Sequence, residues 1–472
     1  MDKVILTVVG GGSVNWMPKL MKGFFSIKGL NSGEIRLVDS NRKHTNLIAK
    51  MIMGFNKIKN KGFEVSIFDD RKEALKNADI VWTTFSPGSL NAFWNDLEIP
   101  IKYGINLPVS MATGTSGISA ALRTVPVAYE IVEDMEECCP GSWILNETNP
   151  MTAITKAMNL ASKTIKTIGM CHEFHNNFPK YIEHIFNLKK PKGMSGVEYA
   201  HYWLPENGFK YTVAGLNHFI FLIKATLDEE DVIPKIREYC NTHRYLGGDY
   251  NNESNNLYIG YSDSDPFKNR FMASLSIGRQ YGYISVNGDR HTIEFIPGLC
   301  NIHNGFGMKY GVLKTSIDRR RIIEKNNLEA IKKIINNEVD IKWEEEPCEQ
   351  MIDIVKAILS KKSTKCMINT PNKGQITNLA TGSVAETEAE VSTEKIRASY
   401  VGKLPGSIGT LCKLHSDVIL LTVKAALEGS RDLFIEALSL DPITGQADFG
   451  KIGDLADELL YANKEWLPRF FK

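Results

Sequence analysis

The stretch Val4-Ile5-Leu6-Thr7-Val8-Val9-Gly10-Gly11-Gly12-Ser13-Val14-Asn15 decides the fold. Its apolar, β-branched opening reads as a strand buried on both faces, as in a parallel sheet. Three glycines force a turn, and a helical pattern follows from about Trp16 to Phe25. Glycines there let the backbone approach a pyrophosphate, and the next helix offers free N–H groups and a positive dipole end. Asn15 stands where the usual fingerprint has a third glycine. Asp39 closes the next strand, Glu34 to Asp39, where an acid can hydrogen-bond an adenosine ribose and so favours NAD over NADP. Gly10, Gly11, Gly12, Ser13 and Asp39 are therefore the candidate cofactor-binding residues.

Outward from this turn, strand and helix signals alternate. Helices are expected over Arg42 to Asn60, Arg71 to Lys76 and Ala120 to Glu136. Strands are expected at Phe63 to Ile67, Ile80 to Thr84, Trp143 to Asn146 and Thr167 to Cys171. This alternation specifies an α/β fold, a Rossmann-type doubly wound parallel sheet. From about residue 190 the pattern turns mixed α+β, with Asn-rich loops around Asn241 to Ser254. A charged helix follows over Asp318 to Asn337, and a last long helix over Ser416 to Ser439. The expected division is an NAD-binding Rossmann domain over 1–195 and a substrate-binding and oligomerisation α/β domain over 196–472. The Asp318-Arg319-Arg320-Arg321 run reads as a solvated helix face.

Composition narrows the function. The 472 residues carry 56 Lys+Arg against 55 Asp+Glu, a formal charge of +1, so no overall field holds nucleic acid or anionic lipid. No apolar run approaches the roughly 18 residues of a membrane span. The eight cysteines are scattered without a CxxC pair, which points to reduced thiols in a cytoplasmic protein. A small-molecule partner is expected, with neither nucleic acid nor membrane.

Four further segments carry chemistry. Asn146-Glu147-Thr148-Asn149-Pro150 ends a strand, at the edge where open α/β sheets bind ligands. Gly169-Met170-Cys171-His172-Glu173 also ends a strand, and a thiolate there can ligate a metal or attack a substrate. Gly215-Leu216-Asn217-His218-Phe219 holds a polar pair between apolar residues. Gly288-Asp289-Arg290-His291-Thr292-Ile293-Glu294-Phe295 gathers four titratable groups, which suits a site better than a core. The polar loop Asn372 to Leu379 has no reading from its residues alone.

Taken in order, these segments and Ala121-Leu122-Arg123-Thr124-Val125-Pro126 resemble glycoside hydrolase family 4, the NAD- and metal-dependent glycosidases. The likeness runs from Gly10 to the Asp441-Pro442 region. Within the family it is nearest the α-galacturonidase branch, through Gly12-Ser13-Val14-Asn15-Trp16, Pro87-Gly88-Ser89-Leu90 and Cys171-His172-Glu173-Phe174. Members acting on 6-phospho-sugars carry an arginine near the position of Phe93 and an asparagine or aspartate after the cysteine. Phe93 and His172 therefore argue for an unphosphorylated sugar. The stretch Val109-Ser110-Met111-Ala112-Thr113-Gly114-Thr115-Ser116-Gly117 departs from the family, with Met111 where an acid is expected and Thr115-Ser116 in place of Pro-Gly.

The resemblance implies a lactate/malate dehydrogenase-like fold and a reaction without net redox change. NAD+ oxidises the sugar C3 hydroxyl, a base removes the acidified C2 proton, the C1 group is eliminated, water adds and the hydride returns. It also implies Cys171 and His218 as ligands of Mn2+ or another divalent ion. By softness alone a sulfur–nitrogen pair suits Zn2+. Asp289 is the first choice for the C2 base, with Tyr283 and His291 as alternatives. Asn149, Arg290 and His172 are expected on the sugar, Arg290 suiting a uronate carboxylate. The substrate is expected to be an α-galacturonide or α-glucuronide, with a neutral α-galactoside or α-glucoside as the alternative. A homodimer or homotetramer is expected. Two other readings stand beside this one. A simple NAD dehydrogenase would produce NADH stoichiometrically, and a catalytically altered relative would bind NAD and sugar without turnover.

Overall fold

The computed structural model describes residues 3–246, 248–249, 267, 269–339, 341, 343 and 350–471. Six parallel strands form its first part: β1 (Val4–Val9), β2 (Ser32–Val38), β3 (Gly62–Phe68), β4 (Ile80–Thr83), β5 (Trp143–Asn146) and β6 (Lys166–Met170). They lie in the order β3-β2-β1-β4-β5-β6. β4 and β5 are buried at every position, which is why their sequences are unbroken apolar runs. The order reverses between β1 and β4, so a crevice opens at their carboxyl ends, where the glycine turn lies.

The sheet continues with strands from the second part of the chain. These are β7 (Phe209–Leu216), β8 (Phe219–Leu227) and β9 (Glu230–Asp231), then β12 (Thr364–Pro371), β13 (Val384–Val391) and β14 (Ile396–Ala398). β10 (His243–Tyr245) and β11 (Gly248–Asp249) form a separate ribbon. Beyond β6 the order is β12-β13-β7-β8-β9, each pair antiparallel. This register decides what meets at the site. Gly169 of β6 faces Asn369 of β12, Asn369 faces Glu386 of β13, and Glu386 faces Gly215 of β7. Cys171 and Asn217 each lie two residues past this row in their own strands, and their side chains come together at the Glu386 carboxyl.

Most elements match the sequence pattern, and two differ. The helix expected from Ala120 starts at Gly114 and runs to Cys138. Its first turn is capped from far along the chain, since Gly114 N and Thr113 Oγ1 donate to Asp441 Oδ2 at 3.3 and 3.2 Å. The expected last helix is two, Gly406–Glu428 and Arg431–Leu440, broken at Gly429. Gly429 has φ +69°, and a side chain there would strike Arg469 O at 2.1 Å. In the Asn-rich stretch 241–254, residues 247 and 250–254 lie outside the described residues. Among the described residues no helix is long and apolar enough to cross a membrane.

Candidate active site

The glycine turn is packed for close approach. A side chain on Gly10, at φ +93°, would lie 2.5 Å from Phe85 N. One on Gly12 would lie 3.0 Å from the Asp39 carboxyl. Asp39 is bound to this turn, accepting from Gly12 N at 2.9 Å and Asn41 N at 2.8 Å. The cradle that a Cβ would fill, beside an acid closing β2, fits a dinucleotide. Trp16, just past the turn, meets the His172 ring at 5.5 Å, so the turn adjoins the segment after β6.

Cys171 is buried at the end of β6. Burial pushes its thiol well up, and the Glu386 and Glu173 carboxylates push it further. Such a thiol stays protonated until a cation or base draws the proton away. His218 occupies a two-residue turn between β7 and β8 with φ +65°. Burial lowers it to about 4, so the ring is neutral at pH 7 with a lone pair to offer. Its Nδ1 is buried without a hydrogen-bond partner among the described residues. A thiol and a neutral imidazole with an unmet nitrogen fit a transition-metal ion. Between them Asn217 Nδ2 donates to Glu386 Oε2 at 3.0 Å, and burial pushes Glu386 up to about 8.

Glu173 ties the pieces together. Its Oε2 accepts from Gly288 N at 2.9 Å, which anchors the Asp289–His291 segment beside Cys171. Its Oε1 lies 3.8 Å from both His172 Nε2 and His291 Nε2. His291 stacks on His218 with centroids 4.1 Å apart, and burial holds it well below its usual range. Asp289 is differently engaged. Its oxygens accept from Ala273 N at 3.0 Å, Ser274 N at 2.9 Å and Ser274 Oγ at 2.7 Å, capping the helix Met272–Tyr281. Burial raises it to about 6. It also lines a small recess with Arg270, Arg290 and Tyr310.

This geometry accompanies two sequence matches. The Family 4 glycosyl hydrolase model matches residues 5–186, and the Family 4 glycosyl hydrolase C-terminal domain matches residues 213–444. The chain belongs to glycosyl hydrolase family 4. It is a glycoside hydrolase by that membership and by its relatives. An α-galacturonidase of Thermoanaerobacter italicus is 28% identical over 99% of this chain and 98% of its own. An α-galactosidase of Bacillus subtilis is 27% identical over 98% and 99%. The Bacillus subtilis protein lplD shares the fold with a TM-score of 0.82 at 24% identity, covering 98% and 100% of the two chains. A Thermotoga maritima 6-phospho-β-glucosidase, solved with NAD and glucose-6-phosphate, has a TM-score of 0.73 at 23% identity, covering 98% of each chain.

The remaining candidates of this family 4 glycosidase divide. Half-buried Asn149 follows β5 and accepts from Met151 N at 3.2 Å. The Tyr283 ring lies under the Arg237 guanidinium at 5.3 Å. Arg123 of the family motif pairs with fully buried Asp96 and donates to Pro87 O at 2.9 Å, holding the loop before Phe93. Asn372 proves structural. Its side chain donates to Ile376 O and Leu379 O, both at 2.9 Å, and accepts from Ile376 N at 3.1 Å, which shapes the loop unread from sequence. The Asp318–Arg321 run needs correction. Asp318, Arg319 and Arg321 are exposed, whereas Arg320 turns inward over the Phe93 ring at 4.7 Å.

Proposed function

We propose that this chain is an NAD- and divalent-metal-dependent glycosidase that cleaves an unphosphorylated α-uronide, a galacturonide or glucuronide. The carrying observation is the gathering of Cys171, His218 and His291 around Glu173, against the glycine turn through Trp16 and His172. The α-galacturonidase relatives support the substrate class. The glycine turn and Asp39 would hold NAD+, which would supply a reversible hydride acceptor. Cys171 and His218 would hold a divalent ion, Mn2+ by family resemblance, which would supply Lewis acidity to the bound sugar.

The chain's own residues do the rest. His291, kept neutral by burial and flanked by Glu173, is the proposed acceptor of the C2 proton. Asp289 is a weaker choice than the sequence suggests, because both its oxygens hold the Met272–Tyr281 helix. It positions Arg290 and His291 instead. His172 and Asn149 face the sugar from the ends of β6 and β5. A cytoplasmic setting is part of the proposal, supported by seven described cysteines that are all free thiols. So is a homodimer or homotetramer, on the family resemblance.

The test is turnover of a nitrophenyl α-uronide in D2O with catalytic NAD+, Mn2+ and a thiol reductant. Deuterium is expected at C2 of the product, without net NADH. A product lacking C2 exchange rejects the elimination route, and stoichiometric NADH favours a dehydrogenase. Asp39→Ala is expected to weaken NAD by about 10- to 100-fold, the worth of a hydrogen bond to a charged group. Mn2+ affinity should stay as it was. An NADH fluorescence titration with unchanged affinity would sink the assignment of Asp39.

A further inference from the structure

We propose that Arg320, acting with Arg290, reads the carboxylate of the substrate and makes the site selective for uronides. This inference rests on the uronide reading above and adds a residue that determines it. Arg320 lies on the helix Ile317–Ile335, one turn from buried Ile317. Its guanidinium covers Phe93, and Nη2 reaches Val109 O at 3.4 Å. Its Nε is buried with no hydrogen-bond partner among the described residues. Arg290 belongs to the same wall. Its Nη2 donates to Thr315 Oγ1 at 2.9 Å, and Thr315 N donates to Pro108 O at 2.9 Å, next to Val109.

Burial, then the neighbouring Arg290, lowers Arg320 to about 10. The buried acid beside both is Glu294, whose Oε1 accepts from Val109 N at 2.7 Å and Ser110 N at 2.8 Å. Burial raises Glu294 to about 7. A carboxylate matches the planar guanidinium fork, and the Arg320 guanidinium rests over the Phe93 ring at 4.7 Å. The helix also ties sugar and cofactor regions together, since Asn327 Nδ2 donates to Asn15 Oδ1 at 2.7 Å beside the glycine turn.

A 6-phosphate is the other anion a sugar could present, so the test separates it. The full-length protein loaded with NAD+ and Mn2+ is assayed on nitrophenyl α-galacturonide, α-galactoside and 6-phospho-α-galactoside. Wild type, Arg320→Gln and Arg320→Lys are compared, with galacturonate and galactose binding measured by calorimetry. Arg320→Gln is expected to lower kcat/KM for the galacturonide by about 10- to 100-fold and galacturonate affinity in parallel. The galactoside should be little changed, and Arg320→Lys should retain part of the preference. Equal losses on all substrates, or a loss confined to the 6-phospho-sugar, overturn the inference while the glycosidase reading stands. A wild type that turns over none of the three overturns the proposed function itself.

Discussion

Cys171→Ser is expected to cut turnover by at least about 10³-fold and to erase the response to Mn2+. The size follows from losing several kcal/mol of Lewis-acid stabilisation at about 1.4 kcal/mol per tenfold. A serine hydroxyl in the same buried place does not ionise, and its oxygen lacks the sulfur's softness. The wild-type thiol is held protonated by burial and by Glu386 and Glu173. Metal binding must therefore release a proton. Calorimetry in two buffers of different ionisation enthalpy should show about one proton released per Mn2+ bound at pH 7.5 in wild type. Cys171→Ser should show none. A serine variant that keeps full Mn2+ dependence and rate would remove Cys171 from the ligand set. Cys171→Ala, which adds no competing oxygen, separates a lost ligand from a misfit hydroxyl.

The first third of the fold was legible because its central strands β1, β4 and β5 are buried almost throughout and each turn carries its own glycine or polar signal. Gly10 to Asp39 needs no distant partner to be read. The rest of the site depends on register across the sheet, and register is not local. Nothing near Glu386 signals that β13 sets it opposite Gly215 and so beside Asn217 and Cys171. Glu173 was visible within its motif, yet its bond to Gly288 spans 115 positions. The Asp441 cap that starts a helix at Gly114 is equally remote. Arg320 is different, because a signal existed. Ile317, Arg320, Asn327 and Ile331 fall on one stripe of a 3.6-residue helix, and Ile317 and Ile331 are its buried residues. Read by periodicity rather than as a charge run, Arg320 belongs to the inner face. Asn372, in the loop that has no reading from its residues alone, has a side chain that ties the backbone together.

Met111 sets the second large effect. It lies in the loop just before the helix that begins at Gly114, half-buried, and a thioether cannot donate a proton to a leaving alkoxide. General acid catalysis is worth about 10²–10⁴-fold. A nitrophenolate leaves unprotonated, so aryl uronides are expected to turn over far faster than disaccharides. Met111→Asp is then expected to raise disaccharide turnover while leaving the aryl substrate nearly unchanged. The gain has a definite pH sense. The N-terminus of the Gly114–Cys138 helix and Arg320, which binds Val109 O two residues before Met111, both favour an ionised carboxylate. The new carboxyl should therefore donate only toward acid pH, and the advantage should fade as pH rises through its lowered pKa. Equal wild-type rates on aryl and disaccharide substrates, with no gain from Met111→Asp at any pH, reject this role for Met111. The proton would then come from elsewhere, and Glu294 is the neighbouring acid to try. It bonds to the backbone of Val109 and Ser110 and is raised to about 7, so it keeps a proton near neutrality. Glu294→Gln preserves the acceptor for both N–H groups but cannot give up a proton. A loss confined to disaccharides in that variant would identify Glu294 as the donor, whereas equal losses on both substrates would mark it as an anchor of the loop.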